Sequence, residues 1–293
     1  MLNFEKTGLY HRAPVGFGPA ASPRQGPDGK PFNGWKENSE MHLTGIVLNV
    51  ERAQLQALLP EGYDIAEDVQ PTILFEVMNL RKLPWLAGRG YNTWGIYAND
   101  VICRRSPEPI RASYMVVLFE SFTDPISTGR EELGFSKVWA ELPDPKEEDG
   151  KLVHTASWFG TEFLRMEIPK IASKPVEESP AFRERPFTMP SVQGTLHHRY
   201  IPAVGEPGKH DASYATYMPG GGSKKPTVLS YRTTEASLQD STVKVTPHKW
   251  EDLPSLYPIV NGLASLQLGE VREVAQQVFL GASDCSGNKR VEW

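Results

Sequence analysis

The segment from Thr72 to Leu80 constrains the fold most strongly, because its apolar residues fall on both faces of a strand. A strand that is apolar on both faces is buried on both sides. Glu76 lies in its middle, on the same face as Leu74 and Met78. An unpaired buried charge is expensive, so this carboxyl group must be neutral, paired or functional. The segment predicts a sheet covered on both sides. It marks Glu76 as a candidate functional residue, with a structural ion pair as the alternative.

Other segments of strand length, rich in β-branched and aromatic residues, follow along the chain. They cover residues 43–50, 91–104, 111–120, 135–141, 151–168, 193–201, 227–233, 236–246 and 263–280. A short helix is predicted over 51–59, a polar turn over 143–150 and a long exposed loop over 205–226. The sequence therefore predicts a mainly β (α+β) fold. We expect a mostly antiparallel sheet, closed or nearly closed into a barrel, with a few short helices.

The domain organisation is simple. Residues 1–36 are rich in Pro and Gly and have no clear hydrophobic period, which predicts an N-terminal arm. Residues 169–190 are irregular, with several prolines. No other composition change is strong enough to divide the chain. We expect residues 37–293 to form a single domain.

Charge and composition exclude several functions. The net charge is −5 and the pI is about 5.9, which argues against nucleic acid as the main partner. Cys103 and Cys285 are too few for a disulfide framework. The sequence shows neither a signal peptide nor an 18-residue apolar stretch, so we expect a cytoplasmic protein with no membrane partner.

Histidine spacing gives no metal site. His197 and His198 are adjacent, so on a strand they face opposite ways, and His210 and His248 add no recognised ligand spacing. The sequence also lacks a G-x-S-x-G nucleophile elbow and a dinucleotide fingerprint. We therefore predict no metal and no organic cofactor.

A lysine between two aromatic residues is the main candidate for chemistry. Asp124-Pro125 is typical of a helix start, and Gly134 of a helix end. If the following segment is a strand, alternation places Phe135, Lys137 and Trp139 on one face. A buried amine is costly to protonate, and a free amine is the nucleophile of Schiff-base chemistry. The alternative is a lysine whose stem packs while its head reaches water.

Two charged residues flank this unit. Glu120 ends the preceding apolar strand and could reach the same pocket, although a solvated strand end is the more ordinary interpretation. Arg130 lies on the short helix, where surface charge is the usual explanation. Both are secondary candidates for holding the helix and the lysine in place.

With these residues in view, the chain resembles the acetoacetate decarboxylase family over most of its length, best between about residues 41 and 142. The resemblance rests on Leu58-Leu59-Pro60-Glu61, Leu74-Phe75-Glu76-Val77-Met78, Gly90-Tyr91-Asn92, Gly129-Arg130-Glu131 and Gly134-Phe135-Ser136-Lys137. It implies a cone-like closed antiparallel β-barrel with a deep apolar pocket, in a homo-oligomer. It also implies that Lys137 matches the lysine that forms a Schiff base with a β-keto acid, and that Glu76 matches one of two pocket glutamates.

Three positions depart from the family pattern. The second lysine of the family motif is Val138 here, so a free amine must come from burial rather than from a neighbouring cation. Thr93 takes the place of the other pocket glutamate, and Met41 that of the pocket arginine. Without the arginine, a substrate carboxylate loses its natural partner. These departures argue against acetoacetate as the substrate.

The sequence thus predicts a lyase that acts on an oxo-acid or polyketide-like carbonyl substrate by decarboxylation, retro-aldol cleavage or dehydration through a Lys137 iminium, with Glu76 shuttling protons. The predicted substrate-binding residues are Met41, Tyr91, Thr93, Glu120, Arg130 and Trp139. Two alternatives use the same pocket: a non-covalent cyclase or isomerase of secondary metabolism, and a small-molecule binding protein without turnover.

Overall fold

The computed structural model describes residues 39–169, 194–220, 227–232, 237–281 and 287–291, together with residues 11, 13 and 285. The predicted N-terminal arm, apart from residues 11 and 13, lies outside the described residues. The irregular segment over 169–190 also lies outside them, apart from residue 169.

The described residues are mainly β, as predicted. The strands are β1 (Glu40–Val50), β2 (Tyr63–Ile65), β3 (Thr72–Leu83), β4 (Arg89–Cys103), β5 (Ile110–Glu120), β6 (Lys137–Trp139), β7 (Lys146–Glu148), β8 (Lys151–Trp158), β9 (Thr161–Pro169), β10 (Thr195–Pro202), β11 (His210–Met218), β12 (Thr227–Arg232), β13 (Thr242–Val245), β14 (Leu268–Leu280) and β15 (Lys289–Arg290). The helices are α1 (Arg52–Gln56), α2 (Thr123–Thr128), α3 (Ser237–Asp240) and α4 (Tyr257–Ala264), with a 3₁₀ turn at Pro84–Leu86 and a π-helical turn at Gly129–Leu133. Of the helices described, none is long and apolar enough to cross a membrane.

Most of the strands form one large sheet in the order β12-β14-β1-β3-β4-β5-β10-β11-β15, with β2 on β4 and β6 on β5. Its pairs are antiparallel except at β5, whose outer edge carries β10 and β6 in parallel. The predicted closed barrel is not confirmed: over the described residues the sheet ends at β12 and at β15, and these two strands do not pair. Alternation reveals which way side chains point, but not whether the first and last strands meet.

The two faces of the large sheet are both covered. On one face, which we call the core face, Phe75, Trp94 and Ile96 share a buried cluster with residues of the second sheet (β13-β9-β8-β7) and of α4. On the other face, which we call the lysine face, Leu74 and Leu118 pack with Leu133 and Phe135 and with other buried residues. The burial of β3 on both sides, predicted from its sequence, is therefore confirmed.

Several segments differ from the prediction. The predicted strand over 236–246 begins with helix α3, the predicted turn over 143–150 contains the short strand β7, and the predicted strand over 263–280 begins only at Leu268. Residues 151–168 form a hairpin rather than one strand, because Phe159 and Gly160 take positive φ angles of 46° and 80° and turn the chain. The predicted loop over 205–226 contains β11, which pairs with β10. Its alternation is carried by His, Ser, Thr and Tyr rather than by aliphatic residues, which hid the strand in the sequence.

Candidate functional site

The candidate lysine follows a short helical connection between β5 and β6, two strands that pair in parallel. The chain leaves β5 at Glu120, forms α2 and the π-helical turn, and ends that turn at Gly134, which takes a φ of 76°. β6 then pairs with β5, so that Lys137 lies opposite Leu118. The predicted helix end at Gly134 is confirmed. Helix α2 begins at Thr123, with Phe122 rather than Asp124 in the capping position.

The Lys137 amine is buried and paired. The residue is 6% exposed, and its Nζ lies 5.5 Å from the centroid of the Phe135 ring. Nζ donates a hydrogen bond to the Pro125 carbonyl at 3.1 Å. It also lies 2.9 Å from Oε1 of Glu120. The amine is therefore dry, as predicted, but a carboxylate compensates its charge, which the sequence did not predict.

Two neighbours shape the position of this lysine. A Cβ at Gly129 would lie only 2.4 Å from Cδ and Cε of Lys137, so the glycine lets the π-helical turn close over the lysine stem. Arg130 donates a hydrogen bond from Nη1 to the Lys137 carbonyl at 3.0 Å. Arg130 thus holds the backbone of β6, the role given to it as a secondary candidate.

Glu120 is 1% exposed, so the interpretation of Glu120 as a solvated strand end is wrong. Burial raises the pKa of its carboxyl group, and the neighbouring Lys137 charge opposes that shift. Its second oxygen, Oε2, is buried and has no hydrogen-bond partner among the described residues. Strand pairing places Thr93 and Trp139 on either side of Glu120.

Glu76 shares the lysine face but does not touch the lysine. A row of paired residues runs from Glu76 through Gly95 and Leu118 to Lys137. Three strand spacings of ~4.8 Å separate the two backbones by roughly 14 Å in a flat sheet. The acid and the amine thus share one face of the sheet, with Gly95 and the buried Leu118 between them.

Burial sets the protonation of Glu76. Its side chain is 3% exposed, and desolvation raises its pKa to about 8, with a hydrogen bond from Tyr97 acting against the shift. The Tyr97 ring folds over Gly95, where a Cβ would lie 2.4 Å from it. A carboxyl group with this pKa is protonated at neutral pH, so Glu76 can donate a proton.

The remaining predicted residues lie at different distances from the amine. Thr93 is buried beside Glu120. The pKa of the Tyr91 hydroxyl is raised by burial and then by the Glu120 charge. Trp139 is the last residue of β6, and the centroid of its ring lies 5.9 Å from that of Phe159. Met41 packs with Leu43 and Ala275 on β1 and β14, on the far side of Glu76 from the lysine.

Sequence reasoning missed His197 and Tyr97. The His197 ring is fully buried and stacks on Phe135 with centroids 4.0 Å apart. Desolvation and then the Lys137 charge lower its pKa to about 3, so it is neutral. Alternation in the sequence puts His197 and His198 on opposite faces of a strand, but it does not show that Phe135 lies beside His197.

A separate groove of about 360 Å³ lies beside β6. Val138, Val116 and Leu263 are among its lining residues, whereas Lys137, Glu120 and Glu76 are not. Val138 packs against the core cluster, so position 138 faces away from the amine. A lysine at position 138 would not stand beside Lys137, and its absence removes less from the site than the family pattern suggests.

Comparison with known proteins identifies a family. The family model of acetoacetate decarboxylase matches residues 14–267. A search of curated proteins found no significant match.

Solved structures of this family share the fold at low sequence identity. Acetoacetate decarboxylase from Legionella pneumophila is 17% identical, with a TM-score of 0.60 over 91% of this chain and 92% of that chain. An acetoacetate decarboxylase-like enzyme from Sphingomonas wittichii RW1 is 15% identical, with a TM-score of 0.56 over 87% and 92%. The enduracididine biosynthesis enzyme MppR, complexed with pyruvate, is 11% identical, with a TM-score of 0.54 over 87% and 89%. These likenesses show the fold.

Proposed function

The chain belongs to the acetoacetate decarboxylase family, and from this premise we propose that it is a Schiff-base-forming lyase acting on a small carbonyl substrate. Lys137 is the nucleophile and Glu76 is the proton donor. The observation that carries the proposal is a buried amine, 6% exposed, on the same sheet face as a carboxyl group whose pKa is about 8.

The proposed reaction uses the iminium as an electron sink. The Lys137 amine adds to a ketone or aldehyde, and loss of water gives the iminium. Electrons released when a carbon–carbon or carbon–oxygen bond breaks then flow into this group. Glu76, protonated at neutral pH, returns a proton to the carbon or oxygen that is left.

The substrate class is an oxo acid or a polyketide-like ketone rather than acetoacetate. Thr93 and Met41 stand where the family pattern has a glutamate and an arginine. This chain therefore lacks the arginine that would pair with the carboxylate of acetoacetate, and it lacks one of the two pocket glutamates. MppR is also described in complex with the condensation product of pyruvate and imidazole 4-carboxaldehyde. That relative supports carbon–carbon chemistry other than decarboxylation within this fold.

A second candidate is favoured by one observation. The pairing of Lys137 with Glu120 at 2.9 Å compensates an ammonium, and an ammonium can polarise a carbonyl without forming a covalent bond. A non-covalent cyclase or isomerase would use the lysine in this way.

Trapping experiments distinguish the two candidates. The protein is incubated with pyruvate, butanone or propanal and sodium borohydride, and the adduct is located by peptide mass spectrometry. We expect a reduced adduct on Lys137 that disappears in Lys137→Ala and persists in Lys244→Ala, since Lys244 is an exposed strand residue. Turnover of a substrate that survives Lys137→Ala would contradict the Schiff-base proposal and support the cyclase. Binding of the carbonyl compounds without adduct or turnover would support a binding protein.

A further inference from the structure

Glu120 is a buried acid to which the chemistry above assigns no step. Its Oε1 lies 2.9 Å from the Lys137 nitrogen, and the two side chains are 1% and 7% exposed. Its Oε2 is also buried and has no partner among the described residues. One oxygen of this carboxyl group is therefore engaged with the nucleophile, while the other is available to a second group beside it.

We propose that Glu120 is the acid–base group that carries the Lys137 proton during imine formation, an inference that rests on the proposed Schiff-base function. Glu120 accepts a proton from the ammonium, which converts the ion pair into a free amine and a neutral acid. The amine lone pair forms the C–N bond, and the carbonyl π electrons move to oxygen. The nitrogen loses one proton and the oxygen gains one, giving the carbinolamine.

The same carboxyl group then completes the step. Glu120, now protonated, donates its proton to the carbinolamine hydroxyl, the C–O bond breaks, and water leaves. The nitrogen lone pair forms the iminium, whose positive charge faces the carboxylate that Glu120 has become again. The charge in the dry site is thus the same before and after, which avoids creating an uncompensated buried ion.

Geometry favours Glu120 over the other titratable groups for this role. Glu76 starts from a backbone roughly 14 Å from that of Lys137, given ~4.8 Å per strand spacing. The other titratable or charged groups that interact with the pair are Tyr91, Tyr97, His197 and Arg130. Burial raises the pKa of both tyrosines and lowers that of His197, so these three are neutral. The Arg130 guanidinium is bonded to the Lys137 carbonyl rather than to its amine.

Two rates measured at Lys137 test the proposal. Acylation by acetic anhydride reports the free amine, and trapping with butanone or pyruvate and sodium cyanoborohydride reports the imine. Glu120→Gln removes the counter-ion of a buried ammonium, which favours the free amine, so acylation should be as fast as before or faster. Imine trapping should fall by ~10²–10⁴-fold, because its proton carrier is lost. Glu270→Gln, which changes an exposed carboxylate of β14, should alter neither rate.

Other outcomes overturn the inference. If both rates rise together in Glu120→Gln, or neither changes, Glu120 is only a counter-ion while the Schiff-base function stands. If the unmodified protein is acylated at Lys137 but forms no imine with any carbonyl compound tested, the proposed function itself fails. Should Glu120→Gln not fold, Glu120→Asp gives the test. Aspartate holds its carboxylate one methylene further from Lys137, so Glu120→Asp should slow imine trapping more than acylation. Equal slowing of the two rates would overturn the acid–base role of Glu120.

Discussion

Replacing Gly129 by alanine tests whether the position of the Lys137 amine controls its reactivity. The new Cβ would lie 2.4 Å from Cδ and Cε and 2.8 Å from Nζ of Lys137, whereas ordinary contacts begin at 3.4 Å. The side chain must therefore retreat by roughly 1 Å, because the atoms that collide are the flexible end of a lysine rather than backbone. Its 2.9 Å contact with Glu120 would lengthen by a similar amount, so the two groups would stay paired while the nitrogen moves.

The backbone should tolerate the change. Gly129 has helical angles, with φ at −64° and ψ at −41°, and alanine in a helix is favoured over glycine by ~1 kcal/mol. Stability should stay nearly constant while reactivity falls, since a misplacement of ~1 Å costs on the order of 10²-fold in rate. The expected result is a protein of similar Tm that forms the Lys137 imine about a hundred times more slowly.

The assay pairs cyanoborohydride trapping with thermal unfolding followed by circular dichroism. Gly262→Ala is the matched control, because Gly262 lies in α4 and no atom would be within 4 Å of its new Cβ. The control should trap at the normal rate. If Gly129→Ala also traps at the normal rate with an unchanged Tm, the reasoning from position to reactivity is refuted.

Three further predictions concern His154, Glu76 and Val138. Burial lowers the pKa of His154 from 6.5 to about 4, so the folded protein keeps this imidazole neutral. Below pH 6.5 the unfolded chain binds a proton at His154 that the folded protein does not, so the free energy of unfolding should decrease as pH falls from 6.5 to 4. The difference in unfolding free energy between the protein and His154→Leu should change by ~1.4 kcal/mol per pH unit in that window, and a constant difference in urea titrations would contradict it. Burial raises the pKa of Glu76 to about 8, so turnover assisted by its proton should fall as pH rises through 8, and a pH–rate profile unchanged in Glu76→Gln would exclude that role. Val138→Lys should leave the rate of Lys137 acylation unchanged, because position 138 faces the groove and the core cluster rather than the amine; faster acylation would show that the two lysines meet.

The sequence predicted the main elements of the site because they depend on local pattern. β3 is apolar on both faces, so its burial and that of Glu76 followed from alternation alone. Gly134 ends a helical turn by its positive φ, so the strand that carries Lys137 could be placed within two residues.

The missing parts depend on contacts between distant segments. Glu120 looks like a solvated strand end in the sequence, and only the return of β6 along the same edge of β5 buries it against Lys137. His197 reaches Phe135 because β10 pairs with the other half of that edge. Neither pairing leaves a periodic signal, and closure of the sheet could not be decided from alternation for the same reason.

The side chains of the three-residue strand β6 alternate between the lysine face and the core face of the sheet. The Lys137 side chain lies beside Glu120, whereas Val138 is half-buried and packs against the core cluster. The same parity governs β3, where Glu76 alternates with the core residues Phe75 and Val77. A substitution at Glu76 or Lys137 therefore acts on the chemistry of the site directly, whereas one at Phe75 or Val77 acts on it only through the packing of the core.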